Sequence, residues 1–159
     1  MMRISIITVS DSVSSGTRED LSGKALETRC GELGWQVMSK SVVPDDETLI
    51  RAQLAALADT TKVDIVLTTG GTGLGPRDVT PEATSTIVTR QIPGFAELMR
   101  QTGLQKTRKA ALSRAICGIR GDCLIINLPG SPRGAVESFD AIAELLPHAV
   151  EVLHGARHD

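Results

Sequence analysis

The chain has 159 residues and a mass of 16.8 kDa. That is the length of one domain at about 100–200 residues each, and such a chain can bury roughly 70% of its unfolded surface without disulfide or metal staples. Hydrophobic residues make up 41% and charged residues 23%, which excludes collagen-like, disordered and coiled-coil chains. A formal charge of −2 and 2% aromatics argue against a nucleic-acid partner, which would call for basic excess and stacking rings.

No apolar run reaches the ~18 residues that a membrane span requires. The opening Met-Met-Arg-Ile-Ser-Ile-Ile lacks the long apolar region and cleavage site of a signal peptide, so the expected location is the cytoplasm. Cys30, Cys117 and Cys123 form no Cys-x-x-Cys pair, and His148, His154 and His158 all fall near the end of the chain. No zinc-ligand spacing results, and the thiols read as small buried hydrophobes.

In chain order, Ile4 to Val9 is a nearly continuous apolar and β-branched run, the pattern of a strand covered on both faces. Residues 11–16 read as a loop. A helix is expected from an N-cap at Ser22, with Leu26, Cys30 and Leu33 on one face and Gly34 closing it. Trp35 to Val43 is the second strand. Pro44-Asp45-Asp46 ends it and leads into a helix carrying Leu49, Ile50, Leu54 and Leu57 at helical spacing. Val63 to Thr69 is the clearest strand, and it empties into Gly70-Gly71-Thr72-Gly73. Thr80-Pro81-Glu82 reads as a helix start with Thr80 as cap, and Ile92-Pro93-Gly94 interrupts the helical stretch. Two further strands, 116–119 and 123–128, flank the turn Arg120-Gly121-Asp122. Pro129-Gly130-Ser131-Pro132 precedes a last helical stretch with Val136, Phe139, Ile142 and Leu146. Strands alternating with helices predict a three-layer α/β/α domain with a mostly parallel sheet, spanning 1–159 as a single unit.

In such sheets ligands bind beyond the carboxyl ends of the strands, and the loops expected there are dense in Gly, Ser, Thr and Asp. Gly70-Gly71-Thr72-Gly73 is either an anion cradle ahead of a helix N-terminus or a tight turn. It lacks the Gly-Lys-Ser/Thr of a P-loop and the Gly-x-Gly-x-x-Gly of a dinucleotide site, which disfavours a nicotinamide-dependent oxidoreductase. Asp78, Asp45 and Asp46 are helix or turn caps, or carboxylates that hold Mg²⁺ against a substrate phosphate. The 129–132 turn is a capped turn or a second backbone nest. Asp11, Ser12, Ser14 and Ser15 contact a polar ligand edge or form a solvated loop.

Taken together, Thr8–Ser12, Asp20–Gly23, Val43–Asp45, Thr68–Gly73 with Arg77–Pro81, Pro93–Phe95, Leu112–Arg114 and Ile126–Pro132 resemble the molybdopterin adenylyltransferase family, in its MogA/MoaB branch, which includes the G domain of gephyrin. The resemblance runs over residues 3–155. It implies a three-layer α/β/α molybdopterin-binding domain that assembles as a homotrimer. It also implies Mg²⁺-dependent adenylyl transfer from ATP to the terminal phosphate of molybdopterin, with release of pyrophosphate and hand-over of the product to a molybdenum-inserting enzyme. By the same resemblance, Asp45 and Asp78 are the catalytic and Mg²⁺-holding acids. Gly70, Gly71, Thr72 and Gly73, with Pro129, Gly130, Ser131 and Pro132, form the nucleotide-binding loops, and Asp11, Ser22 and Gly23 lie near the pterin. The alternative within the family is a pterin-binding or scaffold protein without turnover.

Overall fold

Strand β1 (Arg3–Val9) is buried along its whole length after Arg3, as its apolar run requires. It sits inside a six-stranded sheet with β2 (Gln36–Val43), β3 (Ile65–Thr69), β4 (Arg90–Gln91), β5 (Cys117–Arg120) and β6 (Cys123–Leu128), in the order β2-β1-β3-β6-β5-β4. The computed structural model describes residues 1–60 and 62–155; His158 lies outside them. The β2-β1-β3-β6 pairings are parallel, and β5 and β4 complete the sheet by antiparallel pairing. Hairpin β5–β6 turns at Gly121, whose φ of 57° suits the tight connection at Arg120-Gly121-Asp122.

The period-2 alternation of the central strands feeds two cores. Ile4, Ile6, Ile65, Leu67, Leu124 and Ile126 face helices α2 (Leu21–Glu32), α5 (Pro93–Leu104), α6 (Pro132–Ala143) and α7 (Leu146–Leu153). Ile7, Val66, Cys123 and Ile125 face α3 (Glu47–Ala58) and α4 (Thr80–Ile87) on the other side. The three-layer arrangement is therefore as the sequence predicts. Phe139 is fully buried and meets Trp35 edge-to-face at 5.7 Å, so the few aromatics anchor one layer together.

Several local expectations are corrected. Residues 11–14 form a helical turn, α1 (Asp11–Ser14), because the Ser10 hydroxyl accepts from the Val13 amide. The cap of α2 is Asp20 rather than Ser22: its carboxylate takes both the Gly23 amide and the Thr8 hydroxyl at 2.9 Å, an anchor to β1 that Ser22 lacks. Thr80 lies inside α4, and its hydroxyl donates backwards to the Gly70 carbonyl instead of capping. The last helical stretch divides at residues 144–145 into α6 and α7.

Register aligns the carboxyl ends of four strands. Val9 pairs with Val43, Thr8 with Thr69, and Thr69 with Leu128. The loops after β1, β2, β3 and β6 thus leave from one edge of the sheet. Among the described residues no helix is long and apolar enough to cross a membrane.

Candidate active site

The loop after β3 begins with two consecutive left-handed residues, Gly70 (φ 108°) and Gly71 (φ 71°). A side chain at Gly70 would put its Cβ 2.2 Å from the Val9 carbonyl oxygen, and one at Gly71 would lie 2.3 Å from Thr80 Oγ1. The loop's carbonyls are then taken up one after another. Thr80 Oγ1 donates to Gly70 O and Thr80 N to Gly71 O; Arg114 N donates to Thr72 O and Arg114 Nε to Gly73 O, all at 2.7–3.1 Å. Four oxygens that would repel an anion are thereby held in the protein's own hydrogen bonds.

The loop after β6 is tied against it. Thr69 Oγ1 donates to Pro129 O at 2.7 Å, Gly70 N donates to Leu128 O at 3.0 Å, and a Cβ on Gly130 would lie 3.3 Å from Gly70 Cα. Ser131 caps α6 by accepting from Gly134 N at 3.0 Å. The N-termini of α4 and α6 thus open beside one crevice, and their partial positive charge favours anions there.

Two cavities meet in this crevice, of about 480 and about 560 Å³, and both are lined by Gly71, Asp78, Gly130 and Ser131. The first adds Thr72, Gly73 and Pro129 to a wall containing Met99, Lys106, Lys109 and Ser113. The second adds Asp45, Gly70, Pro132, Ser22 and Arg18. Asp11 and Gly23 line neither. Gly23 packs beneath Asp20, where a Cβ would come within 2.2 Å of the carboxylate.

The two neighbouring acids part company. Asp46 caps α3 by accepting from Leu49 N at 3.0 Å, while Asp45 lines the second cavity. Asp45 and Asp11 exchange hydrogen bonds, each amide donating to the other's carboxylate, and Arg77 grips Asp11 through Nε and Nη2, both at 3.0 Å. Burial pushes the Asp45 carboxyl above the ordinary aspartate range. The Asp11 amide opposes this rise, and the charges of Asp11 and Asp78 reinforce it. Asp11, held by Arg77, moves the other way. Asp78 closes a turn and faces the crevice together: its Oδ2 accepts from Gly75 N at 2.9 Å, and it lines both cavities.

Residues 5–148 match the family described as a probable molybdopterin binding domain. The chain belongs to this family. A molybdopterin adenylyltransferase of Helicobacter pylori strain J99 is 41% identical over 97% of this chain and 89% of its own. The molybdopterin adenylyltransferase of Escherichia coli K12 is 35% identical over 97% of this chain and 86% of its own. Among solved structures, the molybdopterin biosynthesis enzyme MoaB from Thermus thermophilus superimposes with a TM-score of 0.92 at 46% identity, covering all of both chains.

Residue types alone missed the basic groups of the site. Arg77 and Arg114 lie in family-like segments, yet nothing in their spacing announces that one braces Asp11 and the other grips the glycine loop. Lys106 and Lys109 sit in an exposed stretch with no motif and enter the site only because a 3-10 turn, residues 108–112, folds it over the first cavity.

Proposed function

We infer that this chain is a molybdopterin adenylyltransferase, acting as one domain over residues 1–159. The observation that carries the reading is the convergence of Asp45, Asp78 and two backbone loops on one crevice, with the glycine-loop carbonyls engaged elsewhere. The family relatives named above support it. A terminal phosphate oxygen of molybdopterin attacks the α-phosphorus of ATP; the bond to the β-phosphate oxygen breaks, and pyrophosphate leaves. The nucleophile belongs to the substrate, so the protein needs no nucleophile–base pair of its own. Its task is to align two phosphates and offset their charge.

Among the described residues no cluster of three or more His, Cys, Asp or Glu side chains is placed to hold a metal. Two carboxylates on one cavity wall nevertheless fit Mg²⁺, which is ordinarily held by one or two carboxylates together with substrate phosphates. Asp45 and Asp78 would hold it, and when bound it supplies charge neutralisation for the phosphates. In the Gly70–Gly73 and Pro129–Pro132 loops, the amides of Gly71, Thr72, Gly73, Gly130 and Ser131 bind nucleotide phosphates together with the helix N-termini. Gly70, tied to Leu128, and the two prolines shape the loops. Ser22, which lines the second cavity, shapes the pterin side together with Asp11 and Gly23. A cytoplasmic homotrimer that passes its product to a molybdenum-inserting enzyme completes the reading.

The test is pyrophosphate release from ATP and Mg²⁺ with and without molybdopterin, with adenylyl-molybdopterin identified by mass spectrometry. Pyrophosphate appearing only with molybdopterin supports adenylyl transfer. Tight molybdopterin binding without turnover replaces that reading with the scaffold one.

A further inference from the structure

The loop carrying Asp78 has no regular secondary structure of its own: it leaves Gly73, turns back on itself at Gly75, and reaches α4 after Asp78. One side chain from a distant part of the chain holds both of its ends. Arg114 Nε donates to Gly73 O at 2.7 Å and Nη2 to Asp78 O at 2.8 Å. Nη1 meets both carboxylate oxygens of Glu82 at 2.8 and 3.0 Å. Its own amide adds a bond to Thr72 O at 2.8 Å. A planar guanidinium can make all of these contacts at once, and a lysine ammonium cannot.

Arg114 also follows directly on the 3-10 turn and Ser113, which wall the first cavity, while Asp78 faces both cavities. We propose that Arg114 is a positioning residue for the adenylyl transfer inferred above: its fork fixes the Asp78 loop and couples the first cavity's wall to the carboxylate shared by both cavities. It touches no reacting atom. It acts by holding the Asp78 main chain, and hence its carboxylate, in register with the glycine loop. Glu82 orients the guanidinium from outside.

The proposal rests on the adenylyltransferase reading only for its kinetic part, so the experiment has two arms. In the first, hydrogen exchange is measured in the ligand-free wild-type protein and in Arg114→Ala, Arg114→Lys and Glu82→Gln. The hydrogen-bonded amides of this loop, Gly75 N (to Asp78 Oδ2) and Asp78 N (to Gly75 O), should exchange at least about tenfold faster in both Arg114 variants, with the central sheet unchanged, and less so in Glu82→Gln. In the second arm, kcat should fall about thirtyfold or more in Arg114→Ala while KM for ATP and molybdopterin stays within about threefold. Arg114→Lys should recover only part of the loss, and added guanidinium ion should raise turnover of Arg114→Ala but not of wild type. Unchanged loop exchange, unchanged kcat, or a rise in KM at constant kcat would each overturn the positioning role. If wild type releases no pyrophosphate, the adenylyltransferase reading fails on its own and the exchange arm still decides whether Arg114 holds the loop. If Arg114→Ala does not fold, Arg114→Lys decides both arms.

Discussion

Asp11 and Asp45 hold each other by a reciprocal pair of hydrogen bonds: the Asp11 amide donates to Asp45 Oδ2 at 2.9 Å, and the Asp45 amide donates to Asp11 Oδ1 at 3.0 Å. Two carboxylates are thereby brought together where β1 and β2 end, and Arg77 offsets the charge of one while the other faces the cavity. Asp45 is thus fixed by the neighbouring loop, and Asp78 by the turn at Gly75 and by Arg114.

Burial sets the pH dependence of Asp45, and the reciprocal pair modifies it. The Asp45 carboxyl is raised, mainly by burial, so it keeps its proton to higher pH than an ordinary aspartate. Turnover that needs ionised Asp45 should therefore show an acid limb at higher pH than an ordinary aspartate would give. Asp11→Asn removes a like charge and frees Arg77 to face Asp45, so that limb should move to lower pH in a kcat/KM profile. For stability the sign is opposite in the two acids. Raised Asp45 binds its proton more tightly in the folded protein, so its contribution falls as pH rises through the carboxylate range. Lowered Asp11 contributes stability at higher pH and loses it as pH falls.

Asp78→Asn separates the turn role from the site role. Asparagine can still accept from Gly75 N, so the fold and molybdopterin binding should persist. Pyrophosphate release should slow by about a hundredfold or more. Turnover within about threefold of wild type, roughly 0.6 kcal/mol, would remove Asp78 from the catalytic residues.

Gly71 and Gly73 should respond differently to substitution. The sequence alone predicts that valine at either position leaves the fold intact and abolishes ATP binding. The positive φ of Gly71 and the 2.3 Å approach to Thr80 Oγ1 change that expectation: Gly71→Val should lose about 1–3 kcal/mol of stability in thermal denaturation. At Gly73 the added Cβ would meet only the Asp78 carboxylate, with Oδ2 at 3.0 Å and Cγ at 3.8 Å. Gly73→Ala should therefore fold normally and lose ATP affinity by calorimetry. Equal melting temperatures for wild type and Gly71→Val would contradict the strain argument.

The cysteines should be inert in the folded protein. Burial raises the Cys117 and Cys123 thiols to about 12 and Cys30 to about 11, and all three are free and buried. Iodoacetamide at about pH 8 should leave the native chain unlabelled and modify all three sites after denaturation, as read by mass spectrometry. Rapid labelling of any one in the native protein would place it outside the core.

A trimer in solution is expected from the family resemblance, and light scattering at micromolar concentration checks it; a monomer there would count against that assembly.

Much of this architecture was legible in local chemistry. Largely apolar and β-branched runs at Ile4–Val9 and Ile65–Leu67 identified buried strands, because a strand covered on both faces has no charged side to show. Pro44, Pro93 and Pro132 and the glycine clusters marked most boundaries, and the Gly70–Gly73, Asp78 and Pro129–Pro132 segments stood out as candidate site residues. Three decisions came only from the tertiary structure. Asp45 and Asp46 are chemically the same, and only the docking of α3 made one a cap and the other a cavity acid. Asp20 displaced Ser22 as a cap because the Thr8 hydroxyl, 12 positions away, adds a second bond to it. Arg77 and Arg114 reach Asp11 and the glycine loop across 66 and 41 positions. Sequence patterns report what neighbours along the chain impose on one another; the partners of a long, charged side chain are set by which loops the parallel sheet brings to one edge.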